Sequence, residues 1–249
     1  MFASLRLLFV FLVLGVPAAL VGIPWSAMRG NFDTMYAWGM GSIRAGLRFA
    51  GIRVRVEGLE NVPAGVSCIF MSNHVSNLDP PVLLPVIPGR SSVLLKRELM
   101  KIPILGTAMG MAKFVPVERG HKVEAAKASV AAAADALRSG LHMLVFPEGT
   151  RSKDGRLASF KKGPFFLAEG TGAPIVPVAI SGTERMMHKG SVAITPGVAR
   201  VQMLPAIEPS AYGSREELMA AVREAIAGAL PEEMRPAARE QGVGSGSGT

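Results

Sequence analysis

The chain has 249 residues, enough for one sizeable α/β domain with additions and too few for two ordinary domains plus a membrane region. Its single cysteine, Cys68, excludes an intramolecular disulfide framework, no Cys/His cluster has zinc spacing, and the main domain is expected in a reducing cytoplasm. A net charge of +8 and a pI near 10.1 would suit nucleic acid, but only two Trp and two Tyr accompany the basic residues and no helix-turn-helix or RNP-like pattern is present; an anionic membrane surface and anionic substrates account better for the charge, and a mean hydropathy of +0.33 points the same way.

Residues 7–28 carry no charged side chain between Arg6 and Arg29, a run long enough to cross a bilayer core of about 30 Å as a helix. Three readings compete. A spanning helix would be kinked by Pro17 and Pro24 and has basic residues on both sides. A signal peptide would place its V-P-A cleavage-like site at Ala18. A helical hairpin would dip into one leaflet, its second arm being residues 33–50, where Met35, Trp38, Ile43, Leu47 and Phe49 share an apolar side and Arg44 and Arg48 a polar one. The hairpin is the favoured reading, with a buried core helix as the plain alternative.

From residue 52 strands and helices alternate. Ile52, Val54 and Val56 alternate with Arg53, Arg55 and Glu57, a half-exposed strand, and CIFM at 68–71 reads as a buried one. A helix from about Pro80 leads to strand 92–95, a second helix spans 98–111, and strand 113–117 follows. Residues 122–139 form an Ala-rich helix ending at Gly140. Strands at 141–146 and 174–180 come next, and Ser214 with Glu217 makes a capping box for a last helix. This alternation predicts a mostly parallel sheet flanked by helices, with ligands outside the carboxyl ends of the strands. The expected divisions are residues 1–50, N-terminal membrane-associated helices; 51–235, the α/β domain; and 236–249, a disordered Gly/Ser-rich tail.

Two blocks carry chemistry. Residues 73–80 read NHVSNLDP and residues 146–152 read FPEGTRS. His74 can remove a proton from a hydroxyl near neutral pH, and Asp79 can hold the ring so that one nitrogen stays free to accept it. Asn, His and Asp are also common at helix starts, so the first block alone might only cap a helix. Arg151 offers a planar fork for a phosphate, and Gly149 lets backbone approach a ligand closely.

NHVSNLDP, followed in order by KRELMKIPILGTAMG at 96–110, FVPVERG at 114–120, FPEGTRS at 146–152 and APIVPVAISG at 173–182, makes the chain resemble the 1-acylglycerol-3-phosphate acyltransferases of the glycerolipid acyltransferase family over about residues 50–205. Glu118 stands before Arg119 where the family more often has Asp. The resemblance implies the glycerolipid acyltransferase fold and transfer of an acyl chain from acyl-CoA or acyl carrier protein to the sn-2 hydroxyl of 1-acylglycerol 3-phosphate, giving phosphatidic acid. His74 would be the general base of a direct transfer and Asp79 its orienter. Arg119 and Arg151 would bind phosphate; Thr150 belongs to the same block; Glu148 would orient an arginine or bond a glycerol hydroxyl. Lys96 would stabilise the oxyanion or hold the acyl donor, and Lys161 and Lys162 would extend a basic floor. No metal and no cofactor beyond the acyl cosubstrate is implied, and the active site would face the cytoplasm at a membrane, such as a bacterial inner membrane.

Rival chemistries lack their signatures: there is no G-x-S-x-G elbow, no Walker P-loop and no H-E-x-x-H helix. Remaining alternatives are another acceptor, such as glycerol 3-phosphate or a lyso-aminolipid, and a non-catalytic membrane-surface protein that binds acidic lipid. His121, His142 and His188 lack an accompanying motif and read as structural or surface groups.

Overall fold

A computed structural model describes residues 3–5, 9, 13, 15–102, 104–117, 123–187 and 193–236. Seven strands form one sheet in the order β1 (Ile52–Glu57), β7 (Gly197–Met203), β6 (Ile175–Ser181), β2 (Ile69–Ser72), β5 (His142–Val145), β3 (Ser91–Lys96) and β4 (Val115–Val117). All neighbours are parallel except β6 and β7. The central strands β2, β5 and β6 are apolar without alternation because helices cover both their faces, whereas β1 and β7, nearer one edge, alternate buried with exposed residues.

One face packs Ile69, Met71, Met143, Val145 and Ile175 beneath α5 (Val123–Arg138), α6 (Gly163–Thr171) and α8 (Arg215–Ala229). The other packs Phe70, Leu144, Val176 and Ile180 against Leu78, Val82 and Leu83 around α3 (Asp79–Leu83) and against Leu47 of α2 (Asp33–Phe49). The capping box forms, with Ser214 Oγ accepting from Glu217 N–H at 3.2 Å; the Glu217 carboxylate accepts from Gly213 N–H, one residue earlier than the standard partner.

The helix expected across 98–111 is instead a 3₁₀ turn at Arg97–Lys101 and α4 at Leu105–Met111. Ile102 precedes Pro103 and is extended, with ψ 121°, since the proline ring excludes the α region from the residue before it. β7, absent from the sequence expectation, turns back antiparallel along β6. Pro103, Glu118, Arg119, His121, His188 and the Gly/Ser-rich tail lie outside the described residues.

At the N-terminus α1 (Val16–Arg29) and α2 pack on each other. Among the described residues no helix is long and apolar enough to cross a membrane. α2 is fastened to the domain by polar ties as well as by Leu47: Ser91 N–H donates to the Tyr36 hydroxyl at 2.9 Å, Arg90 pairs with Asp33 at 2.7 Å, and Arg44 donates to the Pro85 carbonyl. α1 leaves Leu20, Val21, Trp25 and Met28 exposed, and α2 adds Trp38 and Phe49.

Candidate active site

β2 runs directly into Asn73, whose buried side chain acts as one more rung of the sheet: Nδ2 donates to the Ile180 carbonyl at 2.9 Å and Oδ1 accepts from Ile180 N–H at 2.8 Å. The chain then leaves the sheet at a fixed point, and His74 is the next residue. Its Nδ1 lies 2.8 Å from Asp79 Oδ2, an oxygen that also accepts from the N–H groups of Val75 and Ser76, each at 2.8 Å. The spacing of five is therefore that of a turn folded around one carboxylate, which at the same time opens α3. Asp79 is fully buried, and its other oxygen accepts from the Thr183 hydroxyl at 2.6 Å. A carboxylate facing Nδ1 keeps the proton there, leaving Nε2 as the nitrogen able to accept one.

The block after β5 holds the same histidine from its other sides. The Phe146 ring stacks on the imidazole, centroids 4.1 Å apart and planes 25° from parallel. Glu148 Oε1 accepts from His74 N–H at 2.7 Å, and Ser152 N–H donates to the His74 carbonyl at 2.8 Å. Glu148 Oε2 accepts from Ala158 N–H at 3.0 Å, so each carboxylate oxygen holds backbone. Burial pushes the Glu148 carboxyl up to about 7, against the opposing pull of those two N–H donors; Asp79 adds to the rise and Arg223 opposes it. Gly149 follows at φ 72°, where a side chain would be strained, and a Cβ there would sit 3.3 Å from Lys161 Cγ.

His74 opens on a cavity of about 1000 Å³. Lys96, at the end of β3, together with Gly149, Thr150, Arg151 and Lys161, lines it, while Val16 and Ala19 of α1, Met40 and Ile43 of α2, Leu94, Met109 and Phe114 supply apolar wall. The structure thus brings together His74, Asp79, Lys96, Gly149, Thr150 and Arg151, with Glu148 behind them. Lys162 is turned to an ion pair with Glu216 at 2.7 Å, and Arg156 donates to the Arg235 carbonyl at 3.1 Å. His142 is structural: its Nδ1 accepts from Cys68 N–H at 3.0 Å, and burial lowers its pKa so that the ring stays neutral. Among the described residues no group of three or more His, Cys, Asp or Glu is arranged to hold a metal ion.

Sequence reasoning passed over Asn73, Phe146 and Thr183 as parts of the site. For Thr183 the one available signal is its place directly after the glycine that ends APIVPVAISG. That glycine, Gly182, has φ 92°, and a Cβ on it would come within 2.3 Å of the Val198 carbonyl oxygen. Only glycine lets the chain turn there and bring Thr183 beneath Asp79.

The family model described as Acyltransferase matches residues 53–181. The chain is similar to a chloroplastic 1-acyl-sn-glycerol-3-phosphate acyltransferase of Brassica napus, 39% identical over 170 residues covering 66% of this chain and 46% of that one. It is similar to another from Arabidopsis thaliana, 36% identical over 196 residues with 77% and 52% covered. The 1-acyl-sn-glycerol-3-phosphate acyltransferase alpha of Homo sapiens is 32% identical over 190 residues, with 76% and 67% covered. The chain spans about half the length of the two plant relatives. Among solved structures, the 1-acyl-sn-glycerophosphate (LPA) acyltransferase of Thermotoga maritima superposes with a TM-score of 0.78 at 28% identity, covering 90% of this chain and 92% of that one.

Proposed function

The chain belongs to the acyltransferase family, and from that premise we propose that it moves an acyl chain from an acyl thioester to the sn-2 hydroxyl of 1-acyl-sn-glycerol 3-phosphate, giving phosphatidic acid. One observation carries the reading. The His74–Asp79 pair leaves Nε2 available on a cavity that holds both Arg151 and a long apolar wall, the two surfaces that a phosphorylated lipid needs.

In this mechanism Nε2 of His74 takes the proton of the acceptor hydroxyl as its oxygen attacks the thioester carbonyl. Asp79 holds Nδ1–H and stabilises the imidazolium that forms. The new C–O bond is made, the C–S bond breaks, and the imidazolium returns its proton to the departing thiolate, so no acyl-enzyme is required. Arg151, with Arg119 from the preceding block, binds the phosphate through the guanidinium fork. Lys96 stabilises the oxyanion or holds the donor, Lys161 adds positive charge beside Gly149, and Glu148 supports His74 from behind. The donor is acyl-CoA or acyl carrier protein, and the chemistry needs no resident cofactor.

The two N-terminal helices serve as an interfacial anchor. Support comes from the exposed run of Leu20, Val21, Trp25, Met28, Trp38 and Phe49, with Arg29 over the Trp25 ring at 4.6 Å, an apolar surface edged by charge as interfacial helices have. The catalytic domain lies on the cytoplasmic face, where acyl donors are found.

Purified protein with acyl-CoA and lysophosphatidate tests the reading through release of free thiol together with formation of phosphatidic acid. His74→Ala should lower the rate about 10²–10⁴-fold. Turnover with glycerol 3-phosphate or a lyso-aminolipid in place of lysophosphatidate would reassign the acceptor. Binding of acidic lipid without thiol release would make the protein a membrane-surface binder.

A further inference from the structure

We propose that Thr183 is a positioning residue for the His74–Asp79 pair, acting through Asp79. The Thr183 side chain is fully buried, and its hydroxyl donates to Asp79 Oδ1 at 2.6 Å across 104 residues of sequence. The other carboxylate oxygen already receives Val75 N–H, Ser76 N–H and His74 Nδ1. Thr183 is therefore the side-chain donor on Oδ1, and it fixes the rotation of the carboxylate about its own axis. That rotation sets where Oδ2 lies and so where the imidazole points. A second tie on the same element supports this: Ser76 Oγ donates to the Met187 carbonyl at 3.0 Å, so α7 (Thr183–Met186) and the residue after it grip the histidine loop at two points.

A hydrogen bond to an ionised group shifts an equilibrium by roughly tenfold to a hundredfold when it is lost. The hydroxyl also presents the positive end of its dipole to Asp79. Removing it leaves Oδ1 without its side-chain donor, so the carboxylate can turn and the imidazole loses the fixed orientation that proton transfer needs. The other charged groups around the pair are Glu148 behind the His74 backbone, Arg223 acting on Glu148, Lys96, Arg151 and Lys161 on the cavity, and Glu184 and Arg185 next to Thr183 in sequence. None of them is altered by the substitution.

This inference rests on His74 being the base, as proposed above, and the experiment separates the two. In full-length protein, Thr183→Val keeps the volume and removes the donor, while Thr183→Ser keeps the donor. With acyl-CoA and lysophosphatidate, Thr183→Val should lose about tenfold to a hundredfold in kcat, with both KM values close to wild type. Thr183→Ser should recover most of the rate. The NMR signal of the His74 Nδ1 proton, which lies in the hydrogen bond to Asp79, gives a readout free of activity: Thr183→Val should shift or broaden it and Thr183→Ser should restore it. If Val is not accepted in the core, Thr183→Ala removes the same donor and is read in the same way. An unchanged His74 Nδ1 proton signal, a Thr183→Val rate within about twofold of wild type, or a Ser variant as impaired as the Val variant would overturn the assignment. A wild-type protein with no acyl transfer would overturn the functional reading alone, because the Nδ1 proton signal still decides the coupling.

Discussion

Glu148 sits two residues past the stacked Phe146 ring, with both oxygens bonded to backbone N–H groups of His74 and Ala158. Its folded pKa of about 7 lies above the ordinary 4.5, so the folded state binds this proton more tightly than the unfolded chain does. The resulting stability is fully present below pH 4.5 and is lost as pH rises through 7, about 3 kcal/mol in all. Glu148→Gln should therefore flatten the decline in urea-unfolding free energy between pH 5 and pH 8, and a slope equal to that of wild type would assign the titration elsewhere. Arg151→Ala belongs to the same scale. It should raise the KM for lysophosphatidate more than that for the acyl donor, and Lys should rescue poorly because an ammonium lacks the planar fork. Equal effects on both KM values would give Arg151 a role in holding the loop instead. The placement of His74, Asp79 and Arg151 at one site was legible in the sequence because the five-residue spacing is local and each block directly follows an apolar strand. Asn73 and Thr183 were not, since their partners stand 107 and 104 residues away and an asparagine or threonine at a strand end looks ordinary.

At the scale of elements, α1 and α2 differ in what fastens them. α2 carries Leu47 in the core, the Tyr36 hydroxyl on Ser91 N–H, the Asp33–Arg90 pair and the Arg44 bond to Pro85, whereas α1 packs mainly on α2 and α4. A truncation that begins at Asn31 should lower the melting temperature slightly, since it removes Ala3 from the core and the Ser4 bond to Ile194, while weakening membrane association and leaving Trp38 and Phe49 of α2 in place. One that begins at Gly51 should melt lower, because burying each large apolar side chain contributes about 1.5–3 kcal/mol. Equal melting temperatures for the two would show that α2 contributes nothing to the domain. The sequence made the apolar side of residues 33–50 visible but gave no means to tell a bilayer from a protein core as its cover. Most strands were legible from apolar runs. β7 was missed although Ala199, Val201 and Met203 alternate with Arg200 and Gln202, because no motif drew attention to a half-exposed strand. The break in the 98–111 helix was missed because the apolar pattern continues across Pro103.

For the whole molecule, the charge of +8 and the exposed apolar surface of α1 and α2 would make separate contributions to the proposed attachment to lipid. One molar salt shortens the screening length to about 3 Å and removes only the first. Intact protein should accordingly stay on vesicles in one molar potassium chloride and leave them in detergent; complete release by salt would confine the attachment to charge. The histidine loop has a different dependence. It is held by the Asn73 bonds to β6, by the block after β5 and by the tie to α7, so it cannot loosen while those three elements remain in place. Such a loop belongs to the same cooperative unit as the centre of the sheet. Thermal inactivation and loss of tertiary structure should then share one midpoint, and an inactivation midpoint well below the melting temperature would reveal a histidine loop that opens on its own.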